Sequence, residues 1–263
     1  MKILKSWLND WIDIESVNSD DISEALESLG FEIESRTDKT PNYKNITVGK
    51  VLEIFEHPNA DKVRVTKVDV GSKTYEIVCG AWNFDVGAVV PVALPKSEIK
   101  DGFKIDKRDI RGIESNGMIC SASELDLWDD HEGILKLSNE TKIGSDFSKI
   151  YNSTDTLWDI GVTPNRGDCM SHLGIARELS NYFNLTLKEN SSELKSNIEN
   201  VIKVNSGKIK ACNSYQSIEI ENFNIDDSNL NIRYRLSSIG VRVINNVVDY
   251  PNYVLHDIGQ PLH

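Results

Sequence analysis

Apolar positions near the start of the chain recur at helical spacing. Ile22, Ala25, Leu26 and Leu29 fall at i, i+3, i+4 and i+7, with Ser19 placed to cap, Asp20 and Asp21 in the first turn and Gly30 as the stop. The spacing predicts an amphipathic helix that buries one stripe against another element. From about residue 40 the period shortens. Ile46 to Phe55, Val63 to Val70, Thr74 to Cys79, Val86 to Ala93 and Lys104 to Ile110 read as short strands separated by Gly, Pro, Asp and Asn. Five such strands predict a small closed sheet, an OB-fold β-barrel. Within Val63 to Val70 the apolar phase slips at Thr66-Lys67, which fits either a β-bulge or burial on both faces.

Beyond residue 150 the pattern mixes again. A helix opening at Asp168 or Ser171 and running to about Asn184 would carry Leu173, Ala176, Leu179 and Phe183 along one side. A second, capped near Asp227 or Ser228, would carry Ile232, Leu236 and Ile239 and stop at Gly240. Asn190 to Asn200 reads as a polar linker, and Val201 to Val204 and Tyr215 to Ile220 as strands. The run from Gly240 to His263 carries no cap, tail or closing strand. A domain begun near Val201 would hold only about 60 residues, so the expectation is a chain that stops inside a domain.

Composition narrows the function classes. At roughly 150 residues per domain, 263 residues make more than one unit. The net charge, 29 − 41 = −12, excludes a general nucleic-acid or anionic-membrane coat, so any RNA contact needs a local basic face. Residues 9 to 34 hold nine acids and no Lys or Arg, read as a solvated helix face that should not touch RNA. The stretch from Lys96 to Arg111 sets Lys96, Lys100, Lys104, Lys107, Arg108 and Arg111 against four acids, and is the best RNA-facing segment. Phe103 and Trp82 lie close in sequence as stacking platforms; an ordinary mixed-charge ribbon is the alternative. No apolar run approaches the roughly 20 residues of a spanning helix and no signal core follows Met1, so a cytoplasmic location is expected. Cys79, Cys120, Cys169 and Cys212 are too widely spaced for a zinc knuckle and read as buried free thiols. Phosphate-cradling glycine motifs and hydrolase signatures are missing from the sequence. A hydrolytic centre built from His256, His263, Asp249 and Asp257 competes with ordinary hydrogen-bonding roles for these groups.

Several stretches resemble the bacterial phenylalanyl-tRNA synthetase beta subunit, in that family's order along the whole chain. Met1-Lys2-Ile3 with Trp7-Leu8 and Trp11-Ile12 is similar to its start. His57-Pro58-Asn59-Ala60-Asp61-Lys62, Val78-Cys79-Gly80-Ala81 and Ser115-Asn116-Gly117-Met118-Ile119-Cys120-Ser121 with Glu124-Leu125 resemble its tRNA-binding OB domain, a set shared with other tRNA-binding proteins. Sharper are Thr163-Pro164-Asn165-Arg166-Gly167-Asp168-Cys169 with Gly174-Ile175-Ala176-Arg177-Glu178. Equally sharp are Ile244-Asn245-Asn246-Val247-Val248-Asp249 with Asn252-Tyr253-Val254 and Gly259-Gln260-Pro261-Leu262-His263.

The resemblance implies an α+β multidomain architecture. Residues 1–39 and 150–200 would form one discontinuous α+β domain, 40–149 the OB-fold barrel inserted in it, and 201–263 the start of an α+β editing domain. That domain hydrolyses tyrosine wrongly attached to the phenylalanine tRNA, because one pocket discriminates weakly between near-isosteric side chains. His263, Asn252 and Arg242 would belong to the editing pocket, with His263 orienting the attacking water or the terminal ribose. The acidic residue that reads the tyrosine hydroxyl would lie beyond His263, so this piece is expected neither to edit nor to aminoacylate alone. ATP and Mg2+ belong by implication to the whole enzyme, as do tRNA and a catalytic alpha subunit in an alpha2beta2 assembly; no metal ligand is assigned in this chain. Asn165, Arg166 and Asp168 read as scaffold at a helix start, and Asn245 and Asn246 as a cap or a pocket wall. Pro251 and Asp126 depart from the family pattern. Proline is tolerated in a first helical turn, so a helix starting near Asp249 or Tyr250 is expected. The rival readings are a stand-alone tRNA-binding OB-fold protein without catalysis and an independent deacylase.

Overall fold

The computed structural model of the chain describes residues 1–40, 42–130, 133–151, 154–189, 220 and 222–262. In chain order its elements are β1 (Lys2–Leu4), α1 (Lys5–Leu8), α2 (Ser19–Ser28), β2 (Glu32–Lys39), β3 (Lys44–His57), β4 (Ala60–Asp69), β5 (Thr74–Cys79) and β6 (Val89–Ile99). Then follow β7 (Phe103–Lys104), β8 (Arg108–Ile110), β9 (Ile113–Ser115), β10 (Met118–Ile119), α3 (Phe147–Ile150), β11 (Asp155–Gly161), α4 (His172–Phe183), α5 (Leu230–Ser238) and α6 (Asn246–Ile258). The linker expected at 190–200, the strand expected at Val201–Val204 and that from Tyr215, all but Ile220, lie outside the described residues, as do Cys212 and His263.

Sheet pairing joins segments far apart in sequence. β11 lies between β1 and β2, antiparallel to both, with Ile3 opposite Trp158 and Thr37 opposite Leu157. The helices α2 and α4 share one buried core with this sheet, in which Ile3, Ile22, Leu26, Trp158, Ile160, Ile175 and Leu179 are fully buried. The start of α2 differs from the sequence expectation by one residue. Asn18 is the cap, its side chain accepting from the Asp20 N–H at 3.1 Å, while Ser19 is already helical and its hydroxyl pairs with Thr156 at 2.8 Å. At the other end Gly30 adopts φ +89°, and the N–H of Phe31 reaches back to the Leu26 carbonyl at 3.0 Å, with the Phe31 ring buried. In α4, Ser171 is the cap, and Gly174 is required where a Cβ would stand 1.9 Å from the Asp168 carbonyl oxygen.

The larger sheet runs β10-β6-β3-β4-β5, with β7 paired to β6. Its pairing path is open. Across the gap between its two ends, the Ser115 hydroxyl accepts from the Val78 N–H at 3.0 Å and the Asn116 N–H donates to the Glu76 carbonyl at 2.9 Å. The expected closed barrel is thus not drawn by strand pairing; the protein is mixed α and β, mostly sheet. The phase slip in β4 resolves as burial on both faces, since Val65 and Thr66 are both buried and β4 pairs regularly with β5 from Arg64 to Asp69. A bulge does occur, on the neighbouring strand. Val51 pairs with Val68 and Glu53 with Lys67, which leaves Leu52 without a counterpart. The strand expected over Lys104 to Ile110 is broken into β7 and β8. β8 then pairs with β9 through a two-residue turn in which Arg111 and Gly112 take φ +50° and +92°, the geometry that matches strand twist.

Two later helices begin elsewhere than the sequence suggested. α5 is capped by Asn229, whose side chain accepts from the Asn231 N–H at 2.9 Å. Ser228 instead donates to Asp249 at 2.6 Å. α6 starts at Asn246 and carries Pro251 inside it. The reason is upstream. Asn245 accepts from the N–H groups of both Val247 and Val248, and buried Asp249 accepts from Ser228 and from the Ile244 N–H, so the start is fixed before the proline is reached. One lost backbone hydrogen bond is outweighed by these.

The first sheet and the last two helices meet at Trp7. Its ring stacks between His172 and Tyr253 at centroid distances of 3.9 and 4.4 Å, and its Nε1–H donates to Asp257 at 2.9 Å. His172 Nδ1–H donates to the His256 carbonyl at 2.8 Å, leaving Nε2 to accept from the Leu4 N–H at 3.2 Å. Both bonds need the neutral ring, and burial lowers the His172 pKa to about 3. As pH falls below about 6.5 the unfolded chain takes up a proton that the folded form refuses, so stability is lost between pH 6.5 and 3 at about 1.4 kcal/mol per unit. Asp155 and Asp257, both raised chiefly by burial, act in the opposite sense near the carboxylate range. Replacing His172→Gln isolates the histidine: the stability gap between wild type and variant, measured by urea unfolding, should narrow by about 2 kcal/mol from pH 6.5 to pH 5.

Candidate functional site

The basic ribbon predicted from sequence is exposed at all six positions. Lys96 interrupts β6 at φ +78°, while its N–H still reaches the Ile105 carbonyl at 2.8 Å. Lys100 lies in the turn after β6 and pairs with Asp126 at 3.0 Å; Lys107 pairs with Glu114 at 2.9 Å. Among the described residues Lys96, Lys104, Arg108 and Arg111 form no ion pair, and the Arg108 guanidinium lies 5.2 Å from the Phe103 ring. Arg111 sits at the tip of the β8–β9 hairpin, which is tied to the β3–β4 hairpin. Asn59 donates to the Arg111 carbonyl at 3.0 Å, Arg111 donates to the Asn59 carbonyl at 3.2 Å, and the His57 ring meets the Ile110 carbonyl at 2.9 Å. Lys104 stands opposite Glu98 across β6 and β7, where the Lys44 hydrogen bond and, with it, the Lys104 charge hold that carboxyl down. A stiff backbone therefore presents Lys96, Arg108 and Arg111 as uncompensated cations on long side chains, an arrangement suited to successive phosphates. Asp126, at φ +54°, explains the Lys100 pairing: a left-handed position that favours glycine is held by an acid that ties the turn.

A second region is an open cleft of about 770 Å3 between the larger sheet's loops and the α5–α6 pair, lined among others by Asn83, Trp128, Lys136, Arg233, Arg242 and Asp249. Lys136 pairs with Asp227 at 3.1 Å, and Arg233 reaches Asp227 and Asp130 at 3.6 and 3.7 Å. Arg242, exposed on the extended segment before α6, lines the cleft and has no ion pair among the described residues. Asn252 is half-buried on α6, one turn before His256, and is not among the residues lining this cleft. His263 lies outside the described residues. The hydrolytic grouping of His256, Asp249 and Asp257 does not form: Asp249 is occupied by Ser228 and Ile244, and one Asp257 oxygen accepts from both Trp7 and Trp11 indole N–H groups. Lys136, Arg233 and Asn83, far apart in sequence, carried no signal that could have placed them together.

Asp168, Cys169 and Glu178 have donor atoms within 4.8 Å of one another, the geometry of a cation site. The cation is already supplied by the chain. Arg166 bonds Asp168 at 3.0 Å, Glu178 at 2.9 Å and the Cys169 sulfur at 2.8 Å, holding the Asp168 carboxyl down to about 2. Burial pushes the Cys169 thiol up to about 12. The group is scaffold, and its soft protonated thiol and resident guanidinium do not fit Mg2+. Cys79, Cys120 and Cys169 are free and buried, and desolvation raises all three thiols.

Residues 46–146 match the family described as "Putative tRNA binding domain", and residues 211–263 match the B3/4 domain family. The phenylalanine–tRNA ligase beta subunit of Syntrophus aciditrophicus is 36% identical over 266 residues, covering 100% of this chain and 33% of that protein. The beta subunit of Chlorobium chlorochromatii is 41% identical over 268 residues with the same coverage. The chain therefore spans about a third of the length of the curated relatives it matches. The crystallised C-terminal domain of Plasmodium vivax p43 is 26% identical over 41% of this chain and 61% of that one, with a TM-score of 0.29. For the basic ribbon the expected outcome is specific: the double replacement of Lys104→Ala and Arg108→Ala in the full chain flattens the slope of log affinity for RNA against log salt by about 1.5. Lys100→Ala, already paired with Asp126, flattens it less; an unchanged slope in the double variant, read from binding titrations at several salt concentrations, removes the ribbon from the interface.

Proposed function

We propose that this chain, similar throughout its length to phenylalanine–tRNA ligase beta subunits, is part of one, and that it supplies tRNA contacts and part of an editing pocket to an ATP-dependent enzyme that attaches phenylalanine to its tRNA. The observation that carries the reading is the match over the entire chain to these subunits, with both matched domain families in the same polypeptide. Its parts are read as a discontinuous α+β domain from residues 1–39 and 150–200, an OB-type tRNA-binding domain over 40–149 and a portion of an editing domain over 201–263. ATP and Mg2+ act in the whole enzyme, in the cytoplasm, with a catalytic alpha subunit in an alpha2beta2 assembly.

Editing is ester hydrolysis. Water adds to the tyrosyl carbonyl carbon, the ester C–O bond breaks, and the proton passes to the departing ribose oxygen. Arg242 suits the backbone phosphate or ribose of the incoming tRNA end, because its guanidinium is uncompensated in a cleft whose other cations are paired. Asn252 offers two amide N–H donors and a carbonyl acceptor, and His263 orients water or ribose.

Purifying the chain gently from its native source, with whatever accompanies it, tests the reading. The expected result is a second polypeptide and charging of tRNA with phenylalanine; a lone chain that binds tRNA without charging it would establish the stand-alone binding protein instead. In the whole enzyme, His263→Ala should slow release of tyrosine from mischarged tRNA roughly 10²-fold while leaving phenylalanine charging unchanged. Unaltered tyrosine release would remove His263 from the pocket.

A further inference from the structure

Trp82 differs from the other four tryptophans of the chain. Trp7, Trp11 and Trp158 are buried, Trp128 packs against the core with Arg233 beside it, and Trp82 is 61% exposed. Its loop is nonetheless rigidly held. Arg64, which pairs with Cys79 across β4 and β5, donates to the carbonyls of Ala81 and Phe84 at 3.0 and 3.1 Å, so that the loop is pinned on both sides of Trp82. The guanidinium carbon lies 4.7 Å from the Trp82 ring and 4.6 Å from that of buried Phe84. The next residue, Asn83, exchanges two 3.0 Å hydrogen bonds with the backbone of Ile134, and both line the cleft that Arg242 faces.

We propose that Trp82, laid on Arg64 and next in sequence to the cleft-lining Asn83, is a stacking platform for an unpaired base of RNA. The inference rests on the RNA-binding reading above and deepens it: of the two aromatic residues the sequence singled out, it selects Trp82 and names the ligand chemistry. An indole fixed with a cation beneath one face needs no reordering before a nucleobase stacks on the other, so little conformational entropy opposes binding. Leaving so large an apolar ring in water forgoes burial that the core could have provided. Stacking is indifferent to base identity, since every base presents a π-face, and it requires a strand that is not paired.

The test uses the full chain with an unpaired oligoribonucleotide and a duplex of equal phosphate number. Trp82→Ala should weaken binding of the unpaired strand about 5- to 100-fold, and Trp82→Phe should restore most of it. The slope of log affinity against log salt should stay unchanged in both, because a stacked base releases no counterions. Quenching of tryptophan fluorescence by the unpaired strand should disappear in Trp82→Phe. If the wild type binds RNA and Trp82→Ala binds it equally well, the platform is overturned while the RNA reading stands; failure of the wild type to bind RNA overturns both. Loss of a co-purifying polypeptide from Trp82→Ala at unchanged RNA affinity assigns this face to a protein contact and overturns the platform.

Discussion

The stacking of Trp7 between His172 and Tyr253 is the constraint on which the arrangement of the chain depends. One ring touches segments that lie at residues 1–8, 172 and 253, and its indole N–H shares the Asp257 carboxylate with Trp11. Arg235 completes the joint, its guanidinium over Trp7 and bonded to Asp10, the Tyr253 hydroxyl and the Ser6 carbonyl. Each aromatic pair adds about 0.5–1.5 kcal/mol beyond the area it buries. The polar groups matter differently: a charge so enclosed is strongly destabilising if any one partner is removed. The joint therefore fixes geometry as well as adding stability, and α6, which carries Asn252, is held through it against the first sheet.

In the larger sheet, rigidity comes from backbone devices and not from bulk. Gly49 lets β3 pass between Val68 and Val92, whose methyls would stand 2.7 and 2.8 Å from any Cβ there. The Leu52 bulge bends β3 just before the hairpin that holds Asn59 and Arg111 together. The Arg111-Gly112 turn closes β8 on β9 without splaying them. Charged side chains on such edges lose less freedom on binding than they would on a mobile loop, because the backbone is already ordered. The same logic holds where Arg64 pins the segment around Trp82.

The legible parts of the fold were those set by local pattern. The stripe of Ile22, Ala25, Leu26 and Leu29 gave away α2, and the strand runs of β3 to β5 stand within a few residues of where periodicity put them. Errors arose where neighbours distant in sequence decide. Asn18 caps α2 because Ser19 is engaged by Thr156; Asn229 caps α5 because Ser228 is engaged by Asp249. Pro251 is tolerated inside α6 because Asn245 and Asp249 fix its start. The basic ribbon was visible as composition, yet which of its cations are neutralised depends on Glu98, Asp126 and Glu114, and only the three-dimensional structure sets them beside Lys104, Lys100 and Lys107. The cleft was invisible for the same reason: its walls draw on residue 83 and on residues within 128–130, 133–136 and 227–249.

The acidity of the chain then acquires a physical role alongside its basic ribbon. The acids of α2 and its flanks sit on the first sheet's unit, where Asp20, Asp21, Glu24 and Glu27 are exposed or half-exposed and Arg36 compensates only Asp20 and Asp38. Phosphates approaching that side meet repulsion within a screening distance of about 8–10 Å at physiological salt. On the ribbon, Lys96, Arg108 and Arg111 are exposed without an ion-pair partner among the described residues. With a net charge of −12 the molecule as a whole repels RNA at long range, so contact is selected by orientation at short range and not by bulk attraction. Such a surface disfavours the approach of phosphates in most orientations and favours it in few.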